Sequence, residues 1–412
     1  MSHALAAPLT TSRTGAEPPP TRAEVHARIA PYARANSFKG YTSFAIDVAL
    51  YALGIAGVLF FDSLAGKIAG GLLAGIGVVN LGSLSHEAAH RALVKSRLGN
   101  KVLAVVSLTM IMFNYRLWIY DHHVLHHGRT NVKHNNFLSP LTLAEYRGLS
   151  RFRRALYRAY LSGSGLGILL YFLLERWPTV HFYPGAYLPQ RFRASAWGYT
   201  ALLTAYAAAL LSLLVLVPSA RDASVVASVL CGFVMPYAIW FTIFSTTAFL
   251  QHTNPQLRWY ENLASLASHP EALSVHVRFP PWLNHATHYV LEHPVHHVSP
   301  MIPHYHLREA QAALAAIATP PVVAMSFTIG NLRDVLRRCK LYDYEAHAWL
   351  DFNGEVTAVP VDSSNTRARP AEGLSDGLLP DQAEPDSPSV FFPPNGGAST
   401  KEPAAPARRE EA

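Results

Sequence analysis

Thiols are almost missing from this sequence. Cys231 and Cys339 are the two cysteines in 412 residues, and they form no C-x-x-C pair. That excludes a disulfide framework and a thiolate metal site, so any metal must be held by nitrogen or oxygen. Charge is scarce as well. Asp, Glu, Lys and Arg make up 15% of the chain, against roughly 25% in soluble domains. With half of the residues hydrophobic, this deficit points to a membrane protein. No nucleic-acid motif accompanies the net charge of +7. The bases lie in loops beside apolar runs, where anionic lipid headgroups are the simpler partner, and no nucleic acid is expected. Residues 1–35, rich in Ala, Pro, Thr and Arg, lack the pattern of a signal peptide, and residues 362–412 are rich in Pro, Ser, Ala and Glu. Both are expected to be disordered tails around a membrane domain over 36–361. Asn353-Gly354, flanked by strand formers, predicts a small β-hairpin near the end of that domain.

Long apolar runs are abundant. Four of them, 43–61, 64–85, 196–217 and 224–250, have the length needed to cross a hydrocarbon core of roughly 30 Å. The first carries one acid, Asp47, and Gly71 and Gly75 in the second are spaced for close helix packing. Residues 102–120 and 162–174 are apolar but interrupted or short, and are expected to lie in or dip into the membrane face. The expected fold is all-α: an integral membrane protein with four transmembrane helices and a histidine-rich helical cap. The connections near 62–63 and 218–223 carry few bases, whereas 86–195 carries Arg91, Lys95, Arg97, Arg116, Arg129 and several more. By the positive-inside rule the cap and both termini are then cytoplasmic.

Histidine is the outlier, with 21 residues. His86-Glu87-Ala88-Ala89-His90 is H-E-x-x-H, the helical signature of some zinc proteases. Two further boxes argue against reading it alone. His123, His126 and His127 form H-x-x-H-H, and His293, His296 and His297 repeat that spacing. On a helix, positions i, i+3 and i+4 face one way, so each box can converge its rings. His252 ends the fourth apolar run. In the four-span topology all these clusters emerge on one face. Nine imidazoles are too many for one metal and suit two, and neutral imidazole binds Fe, Zn, Cu or Ni. The carboxylate-rich di-iron plan is disfavoured, because E-x-x-H occurs once, at Glu87 to His90, without a clear partner. His122 and His304 are expected outside the ligand set, and an intramembrane zinc protease remains as an alternative that uses two of the nine histidines.

HEAAH, HVLHH and HPVHH, in this order and with apolar spans before the first and between the second and third, resemble the three histidine boxes of membrane fatty acid desaturases. "LQHTNP" and "WLNHATHYVLEHPVHHVSPMIPHYHLREAQAAL" are similar to the oleate-type (omega-6) branch of bacteria, cyanobacteria and plants, as is "LSPLTLAEYRGLSRFRRALYRAY" after the second box. The likeness covers roughly residues 40–355. It implies a di-iron centre on His86, His90, His123, His126, His127, His252, His293, His296 and His297, with Glu87, Asp121 and Glu292 as carboxylates that fix ligand tautomers. It also implies O2 as oxidant, a membrane-lipid acyl chain as substrate and insertion of a cis double bond, with oleoyl to linoleoyl conversion expected. A fatty acid hydroxylase or conjugase shares the same scaffold. No haem, flavin or nicotinamide fingerprint is visible, so electrons are expected from a separate ferredoxin or cytochrome b5-like carrier, and the location is expected to be a bacterial inner membrane. One departure stands out: that branch usually carries Asn after the His preceding the third box, and here Tyr289 stands in its place.

Overall fold

In the computed structural model, residues 20–133, 137–265, 270–318 and 321–360 are described. They are predominantly helical, with four helices long and apolar enough to cross a membrane: Ser37–Phe60, Leu64–Ala89, Gln190–Ser219 and Val225–His252. Each contains or closely overlaps an expected span. Their outward faces carry Leu53, Leu72, Ile76, Leu202 and Leu213, all exposed as a lipid-facing surface requires. Asn36 and Ser63 cap the first two, their side-chain oxygens accepting from Lys39 N and Gly66 N.

Small residues set how these helices pack. The second span is the central one and is largely buried. A Cβ at Gly71 would collide with the Cys231 carbonyl of the fourth span, and one at Gly75 with the Ile239 side chain. These glycines therefore bring the two backbones together, as their spacing suggested. Away from the histidines, Lys67 is fully buried and donates to Val58 O at 2.7 Å and Ser228 Oγ at 2.9 Å, tying three spans together. Deeper still, the hydroxyls of Tyr51, Tyr206 and Tyr237 meet at 2.6 and 3.2 Å. Paired polar groups of this kind fix the register of helices that hydrophobicity alone would let slide.

Neither of the two shorter apolar runs is a straight helix of membrane-spanning length. Arg97–Met110 and Tyr115–His126 meet at a bend of 112°. Asn114 sits at the corner. Its Oδ1 caps Arg116 N and Leu117 N, and its Nδ2 donates to Ala196 O and Thr200 Oγ1 of the third span. From Tyr120 to His126 the helix widens into a π turn. Leu166–Tyr171 likewise continues into a π turn, Phe172–Phe182, with Pro178 inside.

Two small sheets finish the cap. His276–Arg278 pairs in parallel with Ala324–Ser326, and Leu341–Asp343, Ala348–Leu350 and Val356–Ala358 form an antiparallel sheet. The hairpin expected at Asn353-Gly354 is present. Gly354 takes a φ of 100°, and Asp351 accepts from the amides of Asn353, Gly354 and Glu355. The N-terminal tail boundary moves, because Arg22–Ile29, expected within the tail, is a helix. Thr21 and Glu24 form a capping box, and Val25 and Ile29, one turn apart, pack on Val295, Val298 and Leu307. Ala30–Tyr32 follows as a 3-10 turn, while residues 1–19 of the first expected tail and all of the second, 362–412, lie outside the described residues.

Candidate metal centre

The cap brings the histidine boxes into one place. Leu64–Ala89 delivers His86 at its last turn, and His90 caps it. The π turn delivers His122, His126 and His127. Val225–His252 ends on His252, and the short helix His293–Val298 presents His293, His296 and His297. Their ring nitrogens form two groups, in each of which the donor atoms lie within 4.8 Å of one another: His86, His90, His122, His127 and His296 in one, His126, His252, His293 and His297 in the other.

Contacts inside the groups are those of rings aimed at a common centre. His252 and His293 Nε2 are 2.7 Å apart, His293 and His297 Nε2 2.9 Å, and His126 and His297 Nε2 3.2 Å. In the first group His127 Nε2 lies 2.9 Å from that of His296 and 3.1 Å from that of His122. Two imidazole nitrogens bound to one metal at about 2.1 Å sit about 3 Å apart, so these spacings fit metal ligation. His90 Nε2 is buried without a hydrogen-bond partner among the described residues, as a ligand lone pair awaiting a metal would be. Burial first, and then repulsion from neighbouring rings, holds His293, His296 and His297 well below the usual imidazole range. They are neutral at pH 7, the form that binds metal. The residues fit a pair of metal ions held by nitrogen.

Eight of the nine histidines singled out in the sequence enter the two groups, and His122 enters in addition. His123 stands beside them, stacked on His90 with ring centroids 4.1 Å apart, and its Nε2 is also buried without a partner among the described residues. The π turn explains the difference. His127 N donates to His122 O, five residues back, so the turn brings i and i+5 to the same side where an α-helix brings i+3 and i+4. Trp118 stacks on His122 at 4.2 Å and holds it there.

Around the groups lies a shell of buried acids, each held by a basic side chain from elsewhere in the chain. Glu87 Oε2 meets His304 Nδ1 at 2.9 Å, Glu292 Oε2 meets His276 Nε2 at 2.7 Å, and Arg176 binds Asp121 at 2.5 Å. Asp47, the lone acid of the first span, meets His288 Nε2 at 2.7 Å and accepts from Asn80. His304 also reaches Ser43 Oγ, at 3.1 Å. Burial disfavours a charged His304, but the Glu87 carboxylate outweighs it and raises the imidazole above its usual value. Sequence reasoning expected His276 and His304 beside the ligands or at the surface and left His288 open; it missed His122 within its group and Arg176 as the partner of Asp121, and Asp47, an acid in an apolar run, was an available signal for the shell. Tyr289 points elsewhere. Its hydroxyl lies 3.2 Å from His285 Nδ1, and the side chain packs against the cluster that includes Val25, Ile29 and Val295. Its backbone, like that of His288, is left-handed, with φ of 55° and 53°. Asn adopts that conformation more readily than most residues, so backbone geometry is a sufficient reason for an amide at this position.

A cavity opens from the groups into the membrane region. It is lined by His86, His126, His252 and His293 from the groups and by Val79, Phe113, Trp240, Ile243 and Phe244 from the apolar runs. His181 lines it too, stacked on Phe113 at 4.0 Å. Most of its wall is apolar, with the imidazoles, Asp121 and Arg176 among its polar groups, a form that suits a long hydrocarbon ligand presented to a reactive centre.

Comparison with known proteins agrees with this arrangement. The profile of the fatty acid desaturase family matches residues 62–328. An sn-1 oleoyl-lipid 12-desaturase of Synechocystis sp. is 24% identical over 327 residues, covering 76% of this chain and 86% of that protein. A chloroplastic omega-6 fatty acid desaturase of Spinacia oleracea is 23% identical over 341 residues, 80% of this chain and 70% of that protein. An sn-1 acyl-lipid omega-3 desaturase (ferredoxin) of Nostoc sp. is 24% identical over 262 residues, 57% of this chain and 63% of that protein.

Proposed function

Since this chain belongs to the fatty acid desaturase family, we propose that it inserts a cis double bond into a membrane-borne oleoyl group to give a linoleoyl group. The observation that carries this reading is the junction of two imidazole groups with an apolar cavity between membrane helices. Similarity to 12- and omega-6 desaturases over most of the chain supports the position of the bond.

The balanced reaction joins an acyl –CH2–CH2– unit, O2, two electrons and two protons to give –CH=CH– and two waters. Two iron ions, when bound, supply O2 activation and an oxidant strong enough to take hydrogen from an unactivated methylene. The chain's own residues do the rest. His86, His90, His127 and His296, with His122 or His123, would hold one ion; His126, His252, His293 and His297 would hold the other. Glu87, Asp121 and Glu292 each pair with a basic side chain, His304, Arg176 and His276, and so brace the shell around the ligands. Phe113, Trp240 and Phe244 exclude water from the acyl chain and confine it to an extended path. The two electrons come from a separate carrier, a ferredoxin or a cytochrome b5-like protein. The metal face and both termini lie on the cytoplasmic side of a bacterial inner membrane, in line with the bases between residues 86 and 195.

The test is lipid analysis of a host rich in monounsaturated acyl chains, with and without the protein, under air and with iron and donor present. A new diene is expected. A hydroxylated chain would transfer the assignment to a hydroxylase, and an unchanged profile would refute it.

A further inference from the structure

The short helix His293–Val298 serves both imidazole groups: His293 and His297 belong to the four-membered one and His296 to the five-membered one. Its direction therefore sets two metal positions at once. A helix of 6 residues does not persist unaided, and the start of this one has no cap of its own. Glu292 holds the capping position, but its carboxylate is engaged elsewhere. Its Oε1 accepts from Asn284 Nδ2 at 3.2 Å, and its Oε2 meets His276 Nε2 at 2.7 Å. Pro294 has no N–H to bond. Val295 N, the next amide of the first turn, donates to Gln311 Oε1 at 3.0 Å. We infer that Gln311 is a positioning residue for the metal centre. It holds the first turn of this helix, and with it His293, toward His252 and His297, a role that presupposes the two metal ions proposed above.

Gln311 is itself firmly placed. It is buried on the helix His304–Ala315, two turns after His304, so the two side chains share a face. His304 Nδ1 meets Glu87 Oε2 at 2.9 Å, beside His86. One helix thus touches the second span next to the first box and, two turns on, the start of the third-box helix. Behind them, Val25 and Ile29 of the N-terminal helix share a buried cluster with Val295, Val298 and Leu307. Val295 lies about 200° around the helix from His293, so this cluster closes the back of the ligand-bearing helix while the imidazoles face the metals. Apolar packing of that kind is non-directional. The hydrogen bond to Gln311 adds the direction. Gln311 Nε2 is buried without a partner among the described residues, so the acceptor is the part of the amide in use.

The test compares Gln311→Leu, similar in size but without an acceptor, with Gln311→Glu, which keeps one, in the full chain. Two quantities are measured: iron per chain during exposure of the loaded protein to a chelator, and amide hydrogen exchange over residues 293–298 in metal-free protein. Wild type and Gln311→Glu are expected to hold both ions alike. Gln311→Leu should release one ion about 10-fold faster and keep the other, because the four-membered group loses His293 while the five-membered group keeps all its members. Exchange over 293–298 should rise about 10-fold and stay unchanged elsewhere. Wild-type retention in Gln311→Leu overturns the role of Gln311. Release of both ions together, or a Gln311→Glu that behaves like Gln311→Leu, overturns it too. A wild type that binds no iron overturns both this role and the metal reading beneath it; the desaturase reaction is decided separately by the lipid analysis. If Gln311→Leu does not accumulate, Gln311→Asn, whose amide falls one carbon short of Val295 N, decides by the same two measurements.

Discussion

The two imidazole groups are built in different ways. Both draw on three elements, but the five-membered group takes two local pairs, His86 with His90 one α-helical turn apart and His122 with His127 one π turn apart, and adds His296 from the short helix. The four-membered group takes one local pair and two single residues. His293 and His297 share a short helix, but His252 comes from the end of the fourth span and His126 from the π turn. Its members are also more deeply buried, with His126 the single half-buried one. The His252 ring is steadied by Leu273 O, 3.3 Å from Nδ1. Both groups require three elements to be docked, but in the five-membered group two of the three elements contribute a pair of ligands each, whereas in the four-membered group only the short helix does.

That contrast can be broken most sharply by removing one member of the four-membered group. His126→Ala or His297→Ala is expected to abolish turnover and to lower iron from about two to about one per chain, as two separate metal positions require. Retention of both metals with full activity in either variant would dissolve the division into two groups.

The π turn supplies the next test. His122→Ala is expected to release more metal than His123→Ala, measured as iron per purified chain. The opposite order would mean that the turn runs in α-helical register when loaded, with His123 as the ligand.

A smaller effect is expected from the acids around the groups. Glu87→Gln should reduce activity by about 10–100-fold and loosen metal retention. His304→Ala should act in the same direction, with partial rescue by His304→Gln, which can still donate to Glu87. Glu87-dependent peptide cleavage, assayed on an unfolded substrate, would instead revive the zinc-protease reading of HEAAH.

The smallest effects belong to positions outside both groups. Tyr289→Asn should keep its metal and most of its activity, because the tyrosine hydroxyl meets His285. Truncation after Val361 should leave turnover nearly unchanged in membrane-inserted protein. A loss of iron in the first case, or of turnover in the second, would assign those residues a role that neither group requires.

Much of the architecture was readable in one dimension. Crossing a bilayer demands about 20 apolar residues in a row, a local property, so the four spans were legible from composition alone. Helical spacing made most of the ligand set legible as well, because His86 and His90, or His293 and His297, are neighbours wherever a helix forms. Tertiary structure decided the remainder. Whether His122 or His123 faces inward depends on a π turn stacked on Trp118, and no propensity in the sequence marks one extra residue in a turn. The pairing of Glu87 with His304, of Asp47 with His288 and of Glu292 with His276 joins residues up to 241 positions apart. The close packing of the second and fourth spans exists because Gly82 and Gly75, on one helix, meet ring and side chain on another. Spacing along a chain specifies which side chains share a face, but which faces meet is set by packing, and the cage and its cavity lie where those faces meet.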